Sequence, residues 1–164
     1  METEIRGELA RLIRGHRWAA LATLGRDAPL ASMVAYAPER DFSGFLMLLS
    51  RLSLHTRSLL EHPRASLAIS EPDTRAGNPQ TLARVSIQGE ATPITEDMPG
   101  YVEARAVYEK RLPASSPLFG FGDFLLFRLV PREARFVAGF AQAYTLTAED
   151  LREAAGPAQR GEAK

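Results

Sequence analysis

The sequence predicts a mainly β fold, a β-rich α+β class in which six to seven short antiparallel strands form a barrel or sandwich with peripheral helices. Short apolar or alternating runs recur along the 164 residues between breaks rich in Gly, Pro, Asn and Asp. Helical spacing occurs only near the start, the middle and the end. With 45% hydrophobic residues, the chain has enough apolar material for one core, and residues 1–156 are expected to form one domain. Period and propensity leave barrel and sandwich open; closure would remove exposed strand edges.

Residues 4–16 set Ile5, Leu9, Leu12 and Ile13 opposite Arg6, Arg11 and Arg14, which predicts an amphipathic helix over one end of the core. Residues 18–24 and 30–36 are strand candidates joined by the turn-rich 25–29, a hairpin. A polar turn at 38–44 precedes the apolar run 45–49, a buried strand. Ser53 has N-cap chemistry for a helix over 54–61, which His62-Pro63 ends. Residues 64–70 alternate with the period of a half-buried strand, and 71–80, with two prolines, a glycine and an asparagine, form a long loop.

A long strand is expected over 81–94, with Gly89 as a bulge position. Tyr101, Ala104, Tyr108 and Leu112 mark the apolar side of a helix over 98–112, and 113–122 is an apolar loop. Strands at 123–130 and 135–137 are expected on either side of Pro131-Arg132-Glu133, followed by a turn-to-strand passage at 139–144. Thr147 caps a short last helix, with Glu149 and Asp150 where the dipole favours acids. The tail 157–164 has no apolar residue larger than alanine and is expected to be disordered.

Composition removes several classes. Lys plus Arg equals Asp plus Glu at 20 each, so no global field favours nucleic acid or an acidic membrane. There is no cysteine, hence no disulfide or thiolate chemistry, and His16, His55 and His62 lack metal-ligand spacing. The N-terminus lacks a signal-like apolar run and no stretch approaches a membrane span, so a cytoplasmic protein is expected. No Walker A, Gly-x-Gly-x-x-Gly or Gly-x-Ser-x-Gly motif occurs.

The chemistry concentrates at residues 48–57, where an apolar strand meets a helix start carrying Ser50, Arg51, Ser53, His55, Thr56 and Arg57. A helix N-terminus presents unpaired N–H groups and about half a positive charge, which suits a phosphate. The same residues also fit an ordinary capped surface helix.

Ser32-Met33-Val34-Ala35-Tyr36, the run from Leu48 through Arg57, and His62-Pro63-Arg64-Ala65-Ser66-Leu67 resemble the FMN-binding split-barrel family that includes pyridoxamine 5'-phosphate oxidase. Arg84 to Gly89, Phe121-Gly122-Asp123-Phe124 with Phe127-Arg128-Leu129, and Phe136 to Ala141 are more similar still to its haem-utilisation branch. The resemblance covers roughly residues 11–151.

It implies a six-stranded split barrel that forms a homodimer, with FMN between subunits and a small-molecule substrate. Ser32, Met33 and Val34 would line the flavin ring. Ser50 and Arg51 would bound the ring and ribityl chain, and His55, Thr56 and Arg57 would hold the phosphate. Arg84 would stand beside the ring, and the segment around Gly139 to Tyr144, with Gln142, would approach from the partner chain. The function so implied is that of an FMN-dependent oxidoreductase or flavin reductase. The alternatives are a haem-binding or haem-degrading protein, from the 121–141 similarity, and a non-enzymatic dimeric binding module. The oxidases place a basic strand pair where this chain has Ser32 and Ala37, so activity on pyridoxamine phosphate is not expected.

Overall fold

Alternation of apolar and polar residues becomes one antiparallel sheet in the computed structural model, which describes residues 1–139 and 142–156. In chain order the elements are α1 (Thr3–Gly15), β1 (Trp18–Leu24), β2 (Pro29–Ala35), β3 (Ala37–Pro38), β4 (Phe45–Ser50), α2 (Leu54–Glu61), β5 (Arg64–Ser70), β6 (Arg84–Ile94), α3 (Tyr101–Arg111), β7 (Phe124–Val137), β8 (Ala143–Thr147) and α4 (Ala148–Ala155). Phe140, Ala141 and the tail expected to be disordered lie outside the described residues.

The strand order is β2-β1-β5-β6-β7-β4-β3, with β8 on the second half of β7. The sheet curls into the split barrel that the sequence resembles. Its interior is filled by alternate residues, including Leu21, Leu67, Ile69, Val85, Ile87, Phe127, Leu129 and Phe136, all essentially inaccessible. One end is closed by α1 and α4: Ile5, Leu9, Leu12 and Ile13 are buried, as are Leu151, Ala154 and Ala155. The buried Tyr36 hydroxyl donates to the Ile13 carbonyl at 2.7 Å, tying α1 to the chain between β2 and β3. A second, smaller apolar cluster packs Ala104 and Tyr108 of α3 on Leu46, Leu48 and Leu126.

Where two strands were expected around Pro131, β7 runs unbroken for 14 residues. Gly89 pairs with Pro131 and Gln88 with Glu133, so Arg132 is the extra residue of a bulge. Proline has no N–H for the ladder, and the bulge absorbs that loss. Gly89 is required there, because a Cβ would lie 2.0 Å from the Val130 carbonyl oxygen.

The two margins of the sheet meet and part at one place. Ala37 of β3 pairs with Leu46 of β4, and continuing that register would set Ala35 opposite Leu48 and Met33 opposite Ser50. Instead β2 pairs only with β1, and the second half of β4 pairs only with β7. Tyr36 N–H points to β1, donating to Arg17, so by alternation the main-chain groups of Met33 and Ala35 point the other way. Gly44 C=O accepts from Glu39 N–H, so those of Leu48 and Ser50 point toward β2. The split is therefore a gap between two unpaired strand edges.

Candidate functional site

That gap is a cleft of about 570 Å³ lined by Trp18, Met33, Val34, Ala35, Leu48, Leu49, Ser50, His55, Tyr108, Leu112, Leu118 and Phe124, with Arg17 and Ser53 beside them. Two strand edges, the first turn of α2 and the 3-10 segment Pro113–Gly120 build its walls. Its apolar character follows from the sequence: β4 is apolar at every position but the last, and the 3-10 segment carries Leu118 and Phe119 inward against α3. Trp18 and Met33 are 58% and 49% exposed, large apolar groups left open at the rim.

His55 is the polar centre of the cleft. Its Nδ1 and the Ser32 hydroxyl share a hydrogen bond of 3.0 Å that fastens α2 to β2. Its Nε2 is buried and has no hydrogen-bond partner. Burial lowers the pKa of the ring, which favours the neutral imidazole with a lone pair on one nitrogen.

The remaining residues of the corner point elsewhere. Successive helix residues are turned by about 100°, so 55, 56 and 57 cannot share one face. Thr56 is fully buried, with its hydroxyl unpartnered beneath the helix. Arg57 is exposed and lines a separate cleft with Gly25, Arg26, Leu30, Leu54 and Glu61. Ser53 occupies the N-cap position of α2 without making a side-chain capping bond. Ser50 donates to the Asp123 carboxylate at 3.2 Å, so its hydroxyl is engaged within the protein where the resemblance would set it beside the ring and ribityl chain. Arg51 is exposed, and its N–H donates to the Asp123 carbonyl. Arg84 is tied to the carbonyls of Gln80 and Leu82 at 3.0 Å each. Gln142 is an exposed loop residue whose carbonyl accepts from Ala138 N–H.

Of the residues singled out from the sequence, Ser32, Met33, Val34, Ser50 and His55 therefore meet around one cleft: Ser32 through its bond to His55, the other four in the lining. Arg51, Thr56, Arg57, Arg84 and Gln142 do not line it. Sequence reasoning missed Trp18, Tyr108, Leu112, Leu118 and Phe124 as walls. The signal available was the apolar loop 113–122, expected to pack against something but not assigned to the site. A second cleft, of about 530 Å³, lies along β1, β5 and β6 and holds Leu24, Arg64, Gln88 and Arg132 but no imidazole.

A curled antiparallel sheet parted along an apolar seam places the chain in the split-barrel class. The pyridoxamine 5'-phosphate oxidase family profile matches residues 5–138, and the chain belongs to that family. It is 32% identical over 133 residues to the haem oxygenase HutZ of Vibrio cholerae, covering 80% of this chain and 74% of that one. It is 31% identical over 150 residues to HOZ, a chloroplastic haem oxygenase of Arabidopsis thaliana, covering 89% of this chain and 44% of HOZ. The haem-binding protein of Mycobacterium smegmatis superposes with a TM-score of 0.81 at 26% identity, over 93% of this chain and 61% of that one. The chain thus spans less than two thirds of the length of the last two.

These findings correct the expected cofactor and activity. FMN, and with it the reading as a flavoprotein oxidoreductase or flavin reductase, is overturned: these relatives are named for haem. The geometry gives the physical reason, since His55, Thr56 and Arg57, the groups assigned to the flavin phosphate, do not converge: Thr56 is buried and Arg57 lines a separate cleft. Nothing points to nucleic acid, and no helix among the described residues is long and apolar enough to cross a membrane.

Proposed function

We propose that this chain binds haem in the seam between β2 and β4, as a protein of the haem-utilisation type. The observation that supports this reading is the orphaned Nε2 of His55 beside an apolar cleft, in a chain whose relatives are named for haem. The residues fit the group. Trp18, Leu48, Leu49, Leu112, Leu118 and Phe124 suit the flat apolar macrocycle, Arg17 at the rim suits a propionate, and a neutral imidazole suits iron. Bound haem supplies the redox-active iron. The chain's own residues hold the macrocycle, exclude water from its faces and keep His55 uncharged.

Titration with haemin tests this: a stoichiometric complex with a shifted Soret band is expected, and free-haemin spectra throughout would remove the reading. Incubating that complex with ascorbate in air then separates the two activities, because a haem-degrading protein loses the Soret band and a storage protein keeps it.

A homodimer belongs to the same proposal. Ala20, Ala22, Ala31, Ala68, Ser66 and Ser86 stand in register on the outward side of β1, β2, β5 and β6, and so small a set of side chains lets a second sheet come close. Trp18 and Met33 border both this face and the cleft, so a second copy would wall the seam. Light scattering should give twice the 18.0 kDa chain mass, and Ala22→Glu should give the monomer.

A further inference from the structure

Among the described residues that line the seam, Arg17 alone carries a formal charge at neutral pH. It stands at the end next to the pairing of β3 with β4, opposite Tyr36, whose N–H donates to the Arg17 carbonyl at 3.0 Å. The neighbouring arginines have structural work. Arg111 of α3 donates to the carbonyls of Arg14 and His16 at the end of α1, and Arg14 donates to those of Arg40 and Ala155. The bond to Arg14 meets a carbonyl of the kind a helix end leaves open. Arg17 is exposed, and its guanidinium has no hydrogen-bond or ion-pair partner among the described residues. Other polar side chains of the lining bond within the protein: Ser50 to Asp123, His55 to Ser32, and Ser115 to the Leu112 carbonyl.

The two ends of the seam therefore differ in charge. Arg17 lies across from Tyr36, whereas Ser50, bonded to the Asp123 carboxylate at 3.2 Å, would stand opposite Met33 in the continued register. Three strand residues separate Tyr36 from Met33, about 10 Å along β2. An anionic group entering the seam is drawn to the first end and repelled at the second. We infer that Arg17 is a specificity-determining residue: its guanidinium takes a carboxylate of the guest, so the seam selects planar apolar molecules with carboxylates on one edge and holds that edge toward Arg17, away from Asp123. This rests on the haem reading above, since the propionates of haem are such carboxylates, and adds to it the orientation of the guest. A guanidinium presents a planar fork of donors that matches a carboxylate, which makes arginine the more discriminating cation for this task.

The test compares haemin with its dimethyl ester, in which the carboxylates are capped, on the full chain and on Arg17→Gln, Arg17→Lys and Arg51→Gln. Quenching of Trp18, the single tryptophan, gives a dissociation constant for each porphyrin, and the ratio of the two cancels any general effect of a substitution on the cleft. The wild type should prefer haemin by about tenfold, the value of one charged hydrogen bond. Arg17→Gln should bind the two alike, with its affinity for the ester unchanged. Arg17→Lys, which keeps the charge, and Arg51→Gln, at an exposed arginine outside the lining, should keep the preference. A wild type with no preference for haemin, or an Arg17→Gln variant that retains it, would overturn the inference while leaving haem binding intact. Equal loss in Arg51→Gln would overturn it too, by making surface charge in general the cause. A wild type that binds neither porphyrin fails at the earlier step and takes this inference with it.

Discussion

Arg128 on β7 places both its Nε and Nη2 on one oxygen of Glu39, at 3.1 and 2.6 Å, closing the turn before β4 onto the barrel wall. Both side chains are mostly buried, so removing the arginine leaves a carboxylate without its partner. Arg128→Ala is expected to cost about 2 kcal/mol, the range of a charged hydrogen bond. Urea unfolding monitored by the single tryptophan reads this as a lower midpoint at constant slope. An unchanged midpoint would show the pair to be solvated.

Gly89 and Gly77 make a contrasting pair. A methyl group at Gly89 would meet the Val130 carbonyl oxygen at 2.0 Å and its carbon at 2.8 Å, backbone atoms that cannot step aside. Gly89→Ala should destabilise by about 3 kcal/mol, at the upper end of overpacking costs. At Gly77 nothing lies within 4 Å, and Gly77→Ala should stay within about 0.5 kcal/mol of wild type. Thermal melts of the two variants side by side give the comparison.

His55 makes the fold sensitive to mild acid. Burial holds its pKa below the ordinary value, so the unfolded chain takes up a proton that the native chain resists. Its contribution is complete above the unfolded pKa of about 6.5 and declines as pH falls below it. His55→Gln should flatten the fall in stability between about pH 7 and pH 5. The comparison is made by chemical unfolding at both values, with equal slopes for variant and wild type as the opposing outcome. Ser32→Ala should cost about 1 kcal/mol at neutral pH through the lost hydrogen bond.

Thr147 and Asp150 cap α4 reciprocally: the Thr147 hydroxyl accepts from Asp150 N–H at 3.2 Å, and the Asp150 carboxylate accepts from Thr147 N–H at 2.8 Å. Thr147→Ala should cost about 1 kcal/mol. Bonds from the Thr147 backbone and then its hydroxyl lower the Asp150 pKa. The cap therefore stabilises above the usual carboxylate range and weakens as pH falls through it. Hydrogen exchange of the α4 amides at pH 7 and near pH 3, compared with Thr147→Ala, would show the carboxylate half of the cap weakening in acid while the bond from Asp150 N–H to the Thr147 hydroxyl persists.

The elements were legible where one physical signal dominated. The bounds of β1, α2 and β5 coincide with those expected, because alternation or helical spacing there is flanked by glycine, proline or a polar turn. The break expected at Pro131 failed because proline's missing N–H is a local signal, whereas the bulge that tolerates it depends on Gly89, a residue 42 positions earlier on the facing strand. At the site, a linear reading of residues 50–57 treated neighbours in sequence as neighbours in space, and the helix sends His55 and Arg57 to different clefts. The walls from Tyr108 to Phe124 come from a segment about 60 residues later. Only the packing of α3 and the 3-10 segment on β4 brings them to Ser32 and His55.

The short pairing of Ala37 with Leu46 and Pro38 with Phe45 pins the two sheet margins at one end, beyond which they diverge. Beyond that pin the margins of β2 and β4 border an opening instead of each other, so a missing ladder, and not a missing strand, makes the cleft.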